Sequence, residues 1–204
     1  MTIKPTTKKG VHTRATILDA ARTVFARDGY VNARMIEIAE GAGLSTGGIY
    51  RYFKDKPDVF AALIEDLHEE LFALSGDTSA SFEKAPLAVL AGANRGYVRH
   101  YYENRDVMRA FVEAAAVDER FRQIWWDMRE RHVNRFTASL QSVHGIESVG
   151  GVPARLAAEA MACMVEQCCY VWLAHEDMRD AQVSVEQASD MVTHAWYQTI
   201  FPAA

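Results

Sequence analysis

Residues 35–53 read Met-Ile-Glu-Ile-Ala-Glu-Gly-Ala-Gly-Leu-Ser-Thr-Gly-Gly-Ile-Tyr-Arg-Tyr-Phe, and this run limits what the chain around it can fold into. Its order predicts a short helix, a glycine turn, a helix cap and a second short helix that ends in aromatics. Ile36, Ala39 and Glu40 follow helical spacing, and Ala39 is small enough to let a neighbouring helix approach. Gly43 stands where the chain must reverse, a position that favours positive φ. Ser45 is placed to accept the orphan N–H groups of the next helix. Ile49 and Phe53, four apart, would anchor that helix inward and leave Thr46, Gly47, Tyr50 and Arg51 outside. The adjacent glycines Gly47 and Gly48 each cost roughly 1 kcal/mol against alanine in a helix interior. A helix that only packs gains nothing from them. Bare backbone suits close approach to another surface, and a helix-turn-helix lays its second helix in a DNA major groove. An ordinary helical hairpin with a loose turn is the alternative.

The rest of the composition narrows the setting. The chain has 204 residues, 50% of them hydrophobic, enough for one large core or two small ones. Its first ten residues, Met-Thr-Ile-Lys-Pro-Thr-Thr-Lys-Lys-Gly, contain no apolar signal-peptide core. No uninterrupted apolar run approaches the ~20 residues that span a bilayer, so no membrane partner is expected. Three cysteines without paired spacing argue against a disulfide framework and fit a reducing cytoplasm. The net charge of −5 conceals an asymmetry: residues 1–56 carry ten Lys/Arg against five Asp/Glu, the remainder twelve against twenty-two. A basic first quarter on an acidic body implies that one end meets a polyanion. For Lys4, Lys8 and Lys9 a solvated basic tail is an equal reading.

Periodicity predicts an all-α chain of about nine helices. The first spans about 13–28, with Ile17, Ala21, Val24 and Phe25 at helical spacing and Gly29 as its stop. The two motif helices follow. Pro57 suits the first turn of a fourth helix whose apolar stripe is Phe60, Leu63, Ile64, Leu67, Leu71 and Phe72. A polar linker at 75–79 leads to helices near 83–103, 105–116, 119–144, 153–175 and 184–201. The breaks fall at Asn104, at Val117-Asp118, between Gly145 and Pro153, and in the polar stretch 176–183. No bounded period-two alternation marks a strand pair.

Large adaptable apolar side chains crowd the second half: Tyr101, Tyr102, Met108, Phe111, Trp125, Trp126, Met128 and Trp172. Each alone is best read as core; together they suit a largely apolar pocket, with Asn94, Glu113 and Gln167 as orienting polar groups. Two further stripes read as an interface, Met161, Met164, Val165, Cys168 and Trp172 on one helix and Met191, Val192, Ala195, Trp196 and Thr199 on the last. Burial within one protomer is the alternative. Cys163, Cys168 and Cys169, at spacings of one, five and six, do not converge on one ion and read as small core residues. The histidines show no ligand spacing, and no nucleophile triad, phosphate loop or metal-protease motif occurs, so neither a metal, a cofactor nor catalysis is expected.

Residues 13–60 resemble the DNA-binding domain of the tetracycline-repressor (TetR) family of bacterial regulators. The resemblance rests on Ile17, Ala20, Ala21, Phe25, Gly29 and Tyr30, then Ile38, Ala39, Ala42, Gly43, Leu44, Ser45, Gly48, Ile49, Tyr50, Tyr52, Phe53 and Lys56. It implies a helix-turn-helix domain over 1–57 and a ligand-binding and dimerisation domain over 58–204. By that resemblance Ser45, Thr46, Gly47, Gly48, Tyr50 and Tyr52 line the DNA and Lys56 meets a phosphate, with Arg51 less favourably phased. Tyr50, Tyr52 and Lys56 would hydrogen-bond phosphates, which fixes register; Thr46 and the glycines would approach base edges. The chain departs from many relatives by carrying Ala33-Arg34 where they place threonine, so Asn32 is the expected cap of helix two. Arg34 then reaches a phosphate or guanine, or stays solvated.

The resemblance further implies an apolar effector held among Tyr101, Met108, Phe111, Trp125, Met128, Met164, Gln167, Cys168 and Trp172, and a homodimer through the last two helices. The expected function is a repressor released from a palindromic operator by that effector. An activator, a ligand-independent regulator, and a helical carrier or enzyme with a vestigial DNA module are the alternatives.

Overall fold

The computed structural model describes residues 6–76, 81–175, 178 and 180–202. Expectations for Lys4, for the linker at 77–79 and for positions 176, 177 and 179 lie outside the described residues. Among the described residues the helices are α1 (Lys8–Asn32), α2 (Met35–Gly41), α3 (Thr46–Ile49), α4 (Lys56–Leu74), α5 (Pro86–Glu103), α6 (Arg105–Val117), α7 (Glu119–His144), α8 (Ala154–Cys169) and α9 (Val185–Ile200). The chain is all-α in class, as expected. It divides into two compact units, one of residues 1–69 with 106–124 and one of residues 70–105 with 125–204. The expected boundary after residue 57 therefore falls within the first unit.

α1 starts at Lys8 rather than near Thr13, because the Thr7 hydroxyl accepts the Gly10 N–H at 3.1 Å and caps it. Gly29 breaks its regular turn with φ 73°, and the chain then leads into α2. There the expected cap is absent. Asn32 instead donates its side-chain amide to the Asp28 carbonyl at 3.3 Å, and Arg34 occupies the cap position without a side-chain hydrogen bond. α2 lies close on α1: a Cβ added at Gly41 would come within 3.2 Å of the Ala20 Cβ.

The core of this first unit is aromatic. Phe60 sits 4.4 Å from Phe25, 5.1 Å from Tyr30 and 5.3 Å from Phe121, ring centroid to centroid. Phe111 packs edge-on to Phe60 and Phe121, and only 1% of its surface is exposed. Its place in this core corrects the expectation that it lines an effector pocket. The sequence period of α6 defines a buried face but not which core the face enters.

In the second unit, Asn94 of α5 donates to the Thr193 hydroxyl of α9 at 3.2 Å, both side chains being buried. Asn94 thus ties two helices together rather than standing ready for a ligand. Ser184 caps α9 through a reciprocal pair with Gln187. The sequence signal missed one feature: Ser148–Val149 pairs antiparallel with Val152–Pro153. The hairpin is allowed by Gly150 (φ 57°) and Gly151 (φ 83°), the two positive φ values that a tight two-residue turn demands. Strands of two residues are too short to show alternation.

α8 packs its charges toward α7. Arg129 pairs with Glu166, and Arg155 reaches Glu130 at 2.7 Å and Asn134 at 2.5 Å. The α8 helix then continues through one π-helical turn, Tyr170–Ala174. By length and composition alone the segment Ala154–Ala174 could cross a bilayer, yet only 28% of its most apolar stretch is buried within the chain. The ion pairs to α7 fit a helix packed on protein.

Phe60→Ala is expected to remove about 3–5 kcal/mol of stability. Urea unfolding followed by circular dichroism measures this, with Phe25→Leu, a smaller truncation, expected to cost less.

Candidate nucleic-acid interface

The turn between α2 and α3 closes in the way its glycine allows. The Leu44 N–H donates to the Ala39 carbonyl at 2.8 Å and the Gly43 N–H to the Glu40 carbonyl at 3.0 Å, with Gly43 at φ 67°. This paired pattern satisfies the last carbonyls of α2 and reverses the chain. Ser45 then caps α3, its hydroxyl accepting the Gly48 N–H at 3.2 Å. α3 has only four residues, and two short turns carry it on to Phe53. Ile49 and Phe53 are both buried, so the inward face is the expected one.

The opposite side is open. Thr46, Gly47 and Arg51 are exposed, Tyr50 has 51% of its surface exposed, and Gly48 and Tyr52 are half-buried. The two glycines differ in role. Nothing lies within 4 Å of a Cβ added at Gly47, whereas one at Gly48 would meet the Ser45 hydroxyl at 3.3 Å. Gly47 therefore bares backbone to the outside, and Gly48 makes room for its own helix cap. Arg34 is exposed at the start of α2.

Lys56 sits at the beginning of α4, where Asp55 caps the helix by accepting the Asp58 N–H at 2.9 Å. Its ammonium donates to the carbonyls of Tyr30 (2.7 Å) and Val31 (2.8 Å) and lies 4.9 Å above the Tyr30 ring. Burial pulls this ammonium below the usual lysine range, and the negative charge of Glu113 opposes the fall. Glu113, expected as a pocket group, instead accepts the Tyr30 N–H at 2.8 Å. Arg120 pairs with the mostly buried Asp58 at 2.9 Å. Sequence reasoning missed the contacts of Lys56, Glu113 and Arg120, since they join residues 25 to 83 positions apart.

The residues expected around an effector separate between the units. Met108 and Phe111 belong to the first, and Tyr101, Trp125, Met128, Met164, Gln167, Cys168 and Trp172 to the second. Tyr101 is buried, and burial pushes its phenol well above the usual tyrosine range. Trp125 lies under the Arg129 guanidinium at 4.0 Å. Met128, Met164, Cys168 and Trp172 are half-buried, while Gln167 and Trp126 are exposed and face outward rather than into a core. The expected interface stripes are also displaced. Val165 and Val192 are buried within the unit, and Trp196 packs on Phe136 at 4.8 Å. The open face of α8 and the π-helical turn that continues it carries Leu156, Ala160, Cys163, Gln167 and Val171, none of them charged. On α9 it carries Met191, His194 and Gln198.

A capped helix of one turn, set against a glycine reversal and presented outward, defines a helix-turn-helix protein. Residues 17–63 match the sequence profile of bacterial regulatory proteins of the TetR family, and residues 91–202 match that of the C-terminal domain of the transcriptional regulator EthR. The chain belongs to the TetR family, a class of transcriptional regulators that are not enzymes. It is 30% identical over 119 residues to the transcriptional regulator AcrR of Shigella flexneri, covering 58% of this chain and 49% of that one. With TtgR of Pseudomonas putida the identity is 32% over 88 residues, 43% and 42% of the two chains. The chain thus spans about half the length of the curated relatives it matches. Its fold is similar to a TetR-like regulator from Rhodococcus sp. RHA1 (TM-score 0.67, 21% identity, 94% and 97% of the chains). It is also similar to SmeT, repressor of the Stenotrophomonas maltophilia multidrug efflux pump SmeDEF (TM-score 0.69, 19% identity, 90% and 88%).

Gly43→Ala is expected to cost about 1–2 kcal/mol, since it forces a side chain to positive φ. Gly47→Ala meets no steric obstacle, and is expected to leave thermal stability equal or higher. Thermal melts of the two variants side by side test the distinction.

Proposed function

We propose that this protein is a dimeric repressor that binds a palindromic operator and is released from it by an apolar small molecule. The observation that carries the DNA reading is the exposed side of α3, where Thr46, Gly47, Tyr50 and Arg51 surround a bare stretch of backbone above the buried anchors Ile49 and Phe53. Thr46 and Gly47 are short enough to let α3 reach base edges, while Tyr50, Tyr52, Arg51 and Arg34 supply phosphate contacts that fix register. Lys56 retains a third N–H beyond its two carbonyl bonds, suited to a phosphate. Ser45 acts through the cap, by holding α3 in place.

A palindrome calls for a two-fold dimer, with half-sites about 34 Å apart. The uncharged open stripe of α8 and the exposed residues of α9 suit it: a second copy would cover the exposed residues of an apolar segment that the chain itself buries only in part. Action on DNA is in keeping with a cytoplasmic location.

The effector belongs in the second unit, near Tyr101, Met128, Met164, Cys168 and Trp172. Near the end of α8, where His175 packs on Tyr170, His175 Nε2 is a buried polar atom without a hydrogen-bond partner. Such a group costs about 1–3 kcal/mol, which a bound molecule bearing a matching group would relieve. An effector with a hundredfold preference for the released conformer shifts the equilibrium by about 2.7 kcal/mol.

Selection from a random DNA pool is the experiment that tests the central reading; a protein that enriches no sequence overturns it. On the selected operator, Tyr50→Ala is expected to weaken binding at least tenfold with fold and dimer unchanged, as read by fluorescence anisotropy. Val171→Glu, which places a charge in the open stripe, is expected to convert dimer to monomer in sedimentation experiments without unfolding the chain.

A further inference from the structure

The corner between α1 and α2 is gripped from both sides. On its amide side, Gly29 takes φ 73° and a Cβ there would lie 2.7 Å from Glu113 Oε2, so only glycine leaves room for the carboxylate. That same oxygen accepts the Tyr30 N–H at 2.8 Å. On its carbonyl side, the Lys56 ammonium binds Tyr30 and Val31 at 2.7 and 2.8 Å. The three-residue corner Gly29–Val31 thus lies between an anion from α6 and a cation from the first turn of α4. A second tie holds the start of α4 from α7, since Arg120 holds Asp58 Oδ1 at 2.9 Å while Asp58 Oδ2 accepts the Lys54 N–H at 3.3 Å.

We propose that Glu113 is a positioning residue for operator binding: from α6 it fixes the Gly29–Val31 corner, and through the corner it sets where the Lys56 ammonium stands. The inference rests on the DNA-binding reading above and adds to it a residue far from the recognition helix. A neutral partner or water would satisfy the Tyr30 amide equally well. A carboxylate does more, because its negative charge also favours the charged form of the neighbouring ammonium. Without Glu113 the corner is free to open, its two carbonyls move, and Lys56 loses the fixed address from which it contacts DNA. The acidic side chain is therefore favourable to binding a polyanion, the reverse of what its charge alone suggests.

The test uses the full chain and its selected operator in a salt series, with Glu113→Ala, Glu113→Gln, Lys56→Met and the double variant Glu113→Ala/Lys56→Met. Glu113→Ala is expected to lower affinity about tenfold and to reduce the slope of log affinity against log salt by about one, as one phosphate contact is lost. Lys56→Met should show the same slope change, and the double variant no further change. Glu113→Gln keeps an acceptor for the Tyr30 amide, so it should retain Tyr30 protection in hydrogen exchange while binding DNA between wild type and Glu113→Ala. A slope unchanged in both Glu113 variants, or losses that simply add in the double variant, would overturn the proposal and leave Glu113 with a folding role alone. A wild-type protein that binds no operator defeats the parent reading instead, and is seen before any variant is made.

Discussion

A helix of four residues that contains two glycines has no stability of its own, since forming a first turn fixes several backbone dihedrals for very few hydrogen bonds. Everything at the DNA end answers to that constraint. Ile49 and Phe53 bury the inner side of α3, the Ser45 hydroxyl caps its start, and the Gly43 reversal fixes its entry. α3 is therefore ordered by its surroundings, and its outer side is free of the bulk that helix propensity would otherwise require.

Those surroundings are anchored in turn by the aromatic core of the first unit and by a small set of charges. Phe25, Tyr30, Phe60, Phe111 and Phe121 bring α1, α4, α6 and the start of α7 to one centre. Around it, Lys56, Glu113, Asp58 and Arg120 are each matched with an opposite charge, a carbonyl or a backbone N–H. Burying Asp58 and half-burying Lys56 and Glu113 is tolerable because their partners are in place, and losing a partner would leave a partly desolvated charge alone.

The second unit obeys a different economy. Its ionic contacts gather between α7 and α8, and its caps and the Asn94–Thr193 bond satisfy polar groups inside. This leaves an uncharged face along α8 and a set of large, half-buried side chains. Both leave apolar surface in reach of solvent, which is the physical basis for proposing a second copy and a small molecule there.

The sequence by itself determined the helices, the turn at Gly43, the cap at Ser45 and the inward anchors Ile49 and Phe53, because each follows from local spacing and from the conformational freedom of one residue. It also made the outward side of α3 legible, since what is not apolar at helical spacing faces away from the core. Tertiary structure alone decided the partners of Asn94, Glu113 and Phe111, and it moved the open face of α8 from Val165 to Leu156, Ala160, Cys163, Gln167 and Val171. Amphipathic spacing says that a face is buried, not what buries it. A carboxylate on α6 has no local signal that it will meet an amide more than eighty residues away, and only the packed chain brings the two together.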